Sequence, residues 1–169
     1  VHNEKLNILA SKYAGFINYL NQVFDNCPNS YFLNGPRSSK LKFKLNDLSM
    51  YQTTGHEMND LCRMGLNVNK DRYKTGHSKV QVFMLENDDK TVASEIPIWI
   101  KKDELENYNF LFDSNEPLTG HIDILRIEDE KIWIWDYKPN AFDEKYASTQ
   151  IFFYAIMLSR RANIPLSNF

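Results

Sequence analysis

Leu118–Lys138 reads LTGHIDILRIEDEKIWIWDYK, and this stretch predicts an antiparallel β-hairpin. Its two halves, Leu118–Ile127 and Lys131–Lys138, are rich in the β-branched and aromatic residues that favour strands. The link between them, Glu128–Glu130, is short and polar, so it predicts a tight turn. The position of this turn fixes which residues of the two strands face each other.

The predicted register brings two carboxylates together. With the turn centred between Asp129 and Glu130, Asp123 lies directly opposite Asp136, and His121 lies opposite Lys138. Because side chains alternate along each strand, these four side chains share one face. Opposed like charges destabilise a sheet unless they are compensated, and a divalent cation is the simplest compensation. A lysine beside such a cation indicates metal-assisted chemistry on an anionic substrate.

A purely structural interpretation of the same residues stays open. Asp136 follows the apolar run Ile132–Trp135, where a buried carboxylate must be paired, protonated or metal-bound. An ion pair of Lys138 with Asp136 or Asp123 would satisfy that requirement without any catalysis. The sequence around the hairpin has to decide between the two interpretations.

Composition limits the classes of protein that the chain can belong to. Its 169 residues, 43% of them hydrophobic, are enough for one buried core, so we expect a single domain over residues 1–169, with a fragment of a longer polypeptide as the alternative. A formal net charge of −2 excludes a globally basic nucleic-acid binder. Contacts with nucleic acid would therefore need local basic clusters, which occur at Arg37–Lys44, Lys70–Lys79, Lys101-Lys102 and Arg160-Arg161.

The cysteines and the apolar runs exclude other classes. Cys27 and Cys62 are too few and too far apart to hold a structural zinc ion or an iron–sulfur cluster. The longest apolar run, Ile151–Leu158, is too short to span a membrane, and no signal peptide opens the chain. We therefore expect a cytoplasmic protein without membrane contacts.

Hydrophobic periodicity predicts the remaining elements. Helices are expected over Asn3–Phe24, from Asn46 or Asp47 to Gly65, and from Ser148 or Thr149 to Ala162. Strands are expected over Lys79–Leu85 and Thr91–Ile100, while the basic stretch Lys40–Lys44 is compatible with a strand or a connector. Together with the hairpin, this order predicts an α/β fold in which helices flank a mixed sheet of at least four strands.

Three short motifs follow one another at a distinctive spacing. They are Gly120-His121-Ile122-Asp123, Asp136-Tyr137-Lys138, and Gln150 with Tyr154 one helical turn later. In this order they resemble the RecB-like branch of the PD-(D/E)xK nuclease superfamily, with the match covering Glu95–Arg161. The resemblance implies a restriction-endonuclease-like core.

The resemblance also implies roles for individual residues. Asp123, Asp136 and the backbone carbonyl of Tyr137 would hold one or two Mg²⁺ or Mn²⁺ ions. Lys138 would act on the attacking water, or offset negative charge on the phosphorus. Gln150 would complete the catalytic group by positioning Lys138 or the substrate. Tyr154 lies on the same helical face, so it is expected either to contact the substrate with Gln150 or to pack in the core.

A further metal ligand is expected from the N-terminal half. His56 resembles the histidine that RecB-like nucleases often place there, and Glu57 or Glu95 is the alternative. An imidazole ligand would favour Mn²⁺ over Mg²⁺. His77 stands in a basic segment and is not expected to take part.

These expectations combine into one leading function and two alternatives. The leading function is a metal-dependent enzyme that hydrolyses phosphodiester bonds of DNA, working alone or with other domains or subunits of a larger nuclease assembly. One alternative is a nuclease fold that binds nucleic acid or assembles with partners without turnover. The other is a structural α/β domain whose hairpin charges form ion pairs.

Overall fold

A computed structural model describes residues 1–46 and 48–169, with the side chains of all of these except Glu106 and Asn109. Its centre is an antiparallel sheet in the order β1-β2-β3, formed by Thr91–Ile100 (β1), Leu118–Glu128 (β2) and Lys131–Trp135 (β3). The described α-helices are Asn3–Leu9 (α1), Ala14–Asn26 (α2), Tyr31–Asn34 (α3), Glu57–Val68 (α4), Gly76–Asn87 (α5) and Ala147–Ala162 (α6). Short 3₁₀ turns lie at Ser38–Lys40, Lys102–Glu104, Glu106–Leu111, Ala141–Asp143 and Leu166–Asn168.

The hairpin forms in the predicted register. Ile124 pairs with Trp135, and Glu128 pairs with Lys131. The two turn residues have positive φ angles, 48° at Asp129 and 58° at Glu130, as the type I′ turn of a tight hairpin requires. The predicted turn and register are confirmed where Ile124–Glu128 pairs with Lys131–Trp135, and the predicted pairs of Asp123 with Asp136 and of His121 with Lys138 lie beyond this ladder.

The second hairpin strand is shorter than predicted. β3 ends at Trp135 rather than at Lys138. The backbone N–H of Tyr137 donates to Oδ2 of Asp123 at 2.8 Å, so it is not available for the ladder. The prediction of a strand up to Lys138 is therefore wrong, and the Asp-Tyr-Lys segment leaves the sheet where the carboxylates meet.

The predicted strand Lys79–Leu85 is a helix, which is a second correction. Thr75 caps the first turn of α5 by accepting a hydrogen bond from the Ser78 N–H at 3.1 Å. This segment is buried against both α4 and the sheet, so its apolar run lacks the clear helical stripe of a half-exposed helix. The described sheet consequently has three antiparallel strands, whereas we expected a mixed sheet of at least four.

The first predicted helix is interrupted. Asn3–Phe24 divides into α1 and α2, with Ala10–Tyr13 between them. The break directs Tyr13 toward the hairpin, where its hydroxyl donates to the backbone carbonyl of Glu130. This contact is distant in sequence, and the local spacing of apolar residues carries no information about it.

The second predicted helix starts later than expected. Residues 48–56 are not helical, and α4 begins at Glu57. Gly55 has a φ of +74°, and a helix cannot run through a residue in this left-handed conformation. Asp47, a predicted cap, lies outside the described residues.

The third predicted helix is confirmed as α6. It begins at Ala147, one residue before the expected start, and ends at Ala162. Asn163 closes it in the left-handed conformation, with a φ of 52°. The Lys40–Lys44 stretch, which was left undecided, is a connector whose apolar side chains pack on the core.

Helices cover both faces of the sheet. Leu125 belongs to the larger apolar cluster, which also contains Leu6 of α1, Phe16 of α2 and Phe153 of α6. Ile124 belongs to a smaller cluster with Met58 of α4 and Val80, Phe83 and Met84 of α5. Neighbouring residues of a strand point to opposite faces, so the two clusters lie on opposite sides of β2. Among the described helices, none combines the length and apolarity that crossing a membrane requires.

An ion cluster anchors α4 and the end of α5 to β2. Arg126 is buried, and its Nε donates to Oδ2 of the buried Asp88 at 2.8 Å. Its Nη2 donates to Oε1 of Glu57 at 2.7 Å. Removing one partner of a buried ion pair leaves an uncompensated charge in the interior.

We predict that Arg126→Met lowers the free energy of unfolding by about 3 kcal/mol, because Asp88 loses its charge partner while it stays buried. Arg63→Ala is the matched control, since the side chains of Arg63 and its partner Asp60 are 77% and 69% exposed. Arg63→Ala should lower the free energy of unfolding by less than about 1 kcal/mol. Urea unfolding of both variants measures this difference. Equal losses of unfolding free energy would contradict the role of Arg126 as the charge partner of the buried Asp88.

Candidate active site

Asp123, Asp136 and Lys138 line one pocket at the open end of the hairpin. The pocket has a volume of about 180 Å³. β2 continues beyond the end of β3 here, and the segment after β3 turns across it. His121 lines the same pocket, so the four residues that the sequence placed on one face do lie together.

Asp123 is 7% exposed and is held through both of its carboxylate oxygens. Oδ1 accepts a hydrogen bond from Nε2 of Gln81 at 3.2 Å. Oδ2 accepts the backbone N–H of Tyr137 at 2.8 Å. Its position is thus fixed by one residue of α5 and by the middle residue of the Asp-Tyr-Lys motif.

Asp136 is also held through both oxygens. Nε2 of Gln150 donates to Oδ1 at 2.9 Å, while Nζ of Lys138 lies 2.5 Å from Oδ2. The same amide nitrogen of Gln150 donates to the hydroxyl of Tyr154 at 2.9 Å. Gln150 therefore orients Asp136 directly, whereas its expected contact with substrate stays a prediction.

Tyr154 supports this arrangement from the core. It is buried, and its ring lies against Gly120 so closely that an added Cβ would come within 2.4 Å of Cε1. A glycine at this point of the Gly-x-x-Asp motif is what lets the tyrosine ring reach Gln150. The expected role of Tyr154 in binding substrate stays a prediction.

A third carboxylate lies on the neighbouring strand. Glu95 of β1 accepts a hydrogen bond from Nε2 of Gln81 at 2.5 Å, so one amide group connects Glu95 with Asp123. Glu95 has a φ of 54° within a strand, a costly conformation for a residue with a side chain. Strain of this kind is typical of functional sites. Of the expected further ligands, Glu95 is the one connected to Asp123.

His77 is the imidazole beside Asp123. Its Nε2 lies 3.7 Å from Oδ2 of Asp123, and its ring packs edge-on against Tyr137 with centroids 5.2 Å apart. Sequence reasoning set His77 aside because it stands in a basic segment that was predicted to be a loop. Thr75 as a helix cap was the missed signal, since a helix starting there puts His77 and Gln81 on one face.

His56 and Glu57, the other expected ligands, are engaged elsewhere. His56 caps α4 by accepting the N–H of Met58 on Nδ1 at 3.1 Å, and its ring lies 5.2 Å from that of Trp135. Glu57 pairs with Arg126 and with Lys90, and these hydrogen bonds lower the pKa of its carboxyl. The structure does not bring either residue into the pocket of Asp123 and Asp136.

The mouth of the pocket carries a second cation. The exposed Arg37 lines the pocket together with Lys138. Its backbone forms a parallel bridge with Thr119, which ties this loop to β2. Arg37 belongs to the basic cluster Arg37–Lys44, so one end of that cluster reaches the carboxylates.

The electrostatics of the pocket favour an added cation. Burial and the charge of Asp136 raise the pKa of Asp123 to about 6, against the opposing effects of the Tyr137 N–H, His77 and Lys138. Two carboxylates that resist joint ionisation are a hard oxygen donor set of the kind Mg²⁺ and Mn²⁺ prefer. Within residues 1–46 and 48–169, no three His, Cys, Asp or Glu side chains are already grouped as a metal site. The donor set therefore fits a divalent ion through Asp123 and Asp136, with its further ligand still to be recruited.

We predict that ionisation of Asp123 destabilises the metal-free protein as the pH rises from about 4 to about 6. An unfolded aspartate has a pKa of about 4, whereas the pKa of Asp123 is about 6 in the folded state. Between these values the native state binds more protons than the unfolded state, so the free energy of unfolding falls with pH. Asp123→Asn should remove this slope and be more stable than wild type at pH 8 in chelator, by an amount on the order of 2 kcal/mol.

Thermal unfolding in chelator across this pH range measures the effect. Asp113→Asn, at an exposed loop position, is the control and should follow the wild-type curve. Parallel pH profiles for wild type and Asp123→Asn would show that the pKa of Asp123 is not raised in the folded protein.

The sequence of the chain matches one known protein family. The sequence profile of the PD-(D/E)XK nuclease superfamily matches residues 59–167, which is more than half of the chain and includes both carboxylates, Lys138, Gln150 and Tyr154. No curated protein and no solved structure is significantly similar to the chain. On the strength of the profile match, the chain belongs to the PD-(D/E)XK nuclease superfamily.

Proposed function

We propose that the chain is a metal-dependent nuclease that hydrolyses phosphodiester bonds of DNA. The observation that carries this proposal is the meeting of Asp123, Asp136 and Lys138 in one pocket, with Arg37 at its mouth. An anionic substrate needs cations at such a site, and two buried carboxylates need a cation too. A divalent ion together with a phosphate group satisfies both needs.

Asp123 and Asp136 would hold the ion, which we propose to be Mg²⁺ or Mn²⁺, together with the carbonyl of Tyr137. When bound, such an ion polarises the phosphoryl group and makes a water molecule more acidic. Gln150 keeps one oxygen of Asp136 in place, and the Tyr137 N–H keeps one oxygen of Asp123 in place. Preorganised ligands of this kind need little rearrangement when the ion arrives.

Glu95 and His77 are the candidates for the further ligand. Glu95 shares the amide of Gln81 with Asp123, and the His77 imidazole lies beside the same carboxylate. A carboxylate would suit either ion, while an imidazole would favour Mn²⁺. The donor set of our proposal is thus Asp123 and Asp136 with one of these two side chains, in place of His56.

Lys138 and Arg37 would act on the substrate. Nζ of Lys138 stands against Asp136, where it can orient the attacking water and contact the phosphate. Arg37 is exposed at the mouth of the same pocket, where its guanidinium can bind a phosphate oxygen on two nitrogens. The two cations would also offset the charge that develops on the phosphate during hydrolysis.

We assign the protein to the RecB-like branch within the superfamily, again as a proposal. It is supported by the hydrogen-bonded series that runs from Tyr154 through Gln150 to Asp136, since these residues form the pattern by which the sequence resembles that branch. DNA is the proposed partner, alone or within a larger nuclease assembly.

We predict that the purified chain cuts end-labelled DNA when Mg²⁺ or Mn²⁺ is added and stops when EDTA is added. Asp136→Asn keeps the shape of the side chain but loses its charge, and Lys138→Met keeps the stem but loses the amine. Each should lower the cleavage rate at least about 100-fold. Gel electrophoresis of the labelled products measures the rates.

Lys12→Ala is the matched control, because Lys12 is an exposed lysine outside the basic clusters that pairs with Glu130 at the hairpin turn and does not line the pocket. It should cut at close to the wild-type rate. Equal cleavage by wild type and both site variants would rule out the proposed centre. Metal-independent DNA binding without cleavage by wild type would instead favour a nuclease fold that has lost turnover.

A further inference from the structure

A second pocket adjoins the candidate active site. We call it the aromatic pocket, and define it by Phe24, Phe32, Pro97, His121 and Glu95 among its lining residues. Its volume is about 250 Å³. His121 lines both this pocket and the one that contains Asp123 and Asp136, so its side chain is the wall between them.

Aromatic rings are available on the surface of this pocket. Phe24, in the last turn of α2, is 57% exposed, which is unusual for a large apolar side chain. Phe32 of α3 packs against the ring of His121 with centroids 5.0 Å apart. The described lining therefore presents flat π surfaces directly beside the carboxylates and Lys138.

The charges of the pocket select the kind of group that can enter. The exposed Glu95 carboxylate faces it, and its described lining contains no lysine or arginine. A phosphate would be repelled by the carboxylate, whereas the amino group of a nucleobase could donate a hydrogen bond to it. Asn29 adds an amide that can pair with a base edge.

Arg37 is a second residue that links the aromatic pocket to the pocket of Asp123 and Asp136. Its Nη2 donates to the backbone carbonyl of Phe32 at 3.3 Å, and the same side chain lines the pocket of the carboxylates. A phosphate bound near Arg37 and Lys138 would thus place the base of an adjoining nucleotide next to the aromatic pocket. The arrangement separates a site for the backbone from a site for a base.

We propose that the aromatic pocket binds an unpaired nucleobase of the strand being cut, next to the phosphate that is cleaved. This rests on the proposed nuclease function and names its substrate class, a single strand or an unpaired end. A base that is stacked and paired in a duplex cannot present its face to Phe24 and Phe32, so a fully paired duplex would have to open first. Stacking on aromatic side chains tolerates any base, so no sequence preference is implied.

The experiment measures binding of a fluorescent single-stranded oligonucleotide by anisotropy in metal-free buffer with EDTA, so that cleavage does not interfere. Phe24→Ala combined with Phe32→Ala should weaken binding roughly 5- to 100-fold. Phe24→Trp should bind at least as tightly as wild type, because it keeps an aromatic face. A closed hairpin duplex of the same length should bind wild type more weakly and respond less to the double variant.

Two controls separate loss of stacking from general damage. Leu33→Ala removes a 78% exposed apolar side chain next to Phe32, and Phe110→Ala removes a 76% exposed aromatic ring that lines a different pocket. Both should bind the single strand as wild type does. Circular dichroism and thermal unfolding of the double variant verify that it is folded, and Phe24→Ala alone replaces it if it is not.

An abasic nucleotide tests the contact directly. We place a single abasic site at successive positions of the oligonucleotide and follow cleavage by the metal-loaded protein. In wild type, each abasic site should reduce cleavage at one phosphate that lies a fixed number of nucleotides away. In the double variant, which already lacks the aromatic rings, the abasic site should cause no further reduction at that phosphate.

Single-strand binding that is unchanged in the double variant, or loss of cleavage at no fixed offset, would overturn the aromatic pocket as a base site. Metal-dependent cleavage that persists in that case would leave the proposed nuclease function standing. Wild type that neither binds nor cuts any of the nucleic acids would overturn both.

Discussion

Repulsion between two buried carboxylates is the constraint on which the account depends. The tight turn at Asp129 and Glu130 sets a register that places Asp123 next to Asp136, in a position where neither can be well solvated. Separating them would require the hairpin to slip, and slipping would move every apolar side chain of β3 to the wrong face. The fold thus holds two like charges together, and the remaining groups of the pocket compensate them.

The compensation is built from neutral donors and one lysine. Gln81, Gln150 and the Tyr137 N–H supply hydrogen bonds, Lys138 supplies a close positive charge, and the His77 imidazole lies beside Asp123. Each donor comes from a different part of the fold: α5, α6 and the segment after β3. Neutral donors orient a carboxylate without neutralising it. An arrangement of this kind would suit reversible binding of the metal ion that we propose.

The parts of the site that sequence reasoning found are those that depend on local pairing. Strand alternation and the predicted turn were sufficient to bring Asp123 and Asp136 to one pocket, and helical spacing was sufficient to put Gln150 and Tyr154 on one face. The parts it missed depend on contacts between distant segments. Gln81 was missed because Lys79–Leu85 is buried on several sides, and a short apolar run of this kind has no clear period. His77 was missed because the basic residues around it predicted a loop, whereas it lies in the first turn of α5.

Two further corrections concern the residue at which α4 begins and the residue at which β3 ends. Gly55 adopts a left-handed conformation that the spacing of apolar residues does not reveal, so α4 begins at Glu57 and not at Asn46 or Asp47. The β3 ladder ends early because a side chain, Asp123, takes the backbone donor that a continued strand would need. At the end of β3, a polar contact between distant residues thus overrides the local preference of the chain.

The most direct test of the central claim is anomalous diffraction from a crystal soaked in Mn²⁺, recorded near the manganese absorption edge. The account predicts an anomalous peak in contact with the carboxylates of both Asp123 and Asp136. Manganese bound only elsewhere on the molecule, or no manganese with the Lys138–Asp136 ion pair unchanged, would contradict it. The second result would identify the hairpin charges as a structural ion pair and not as a metal centre.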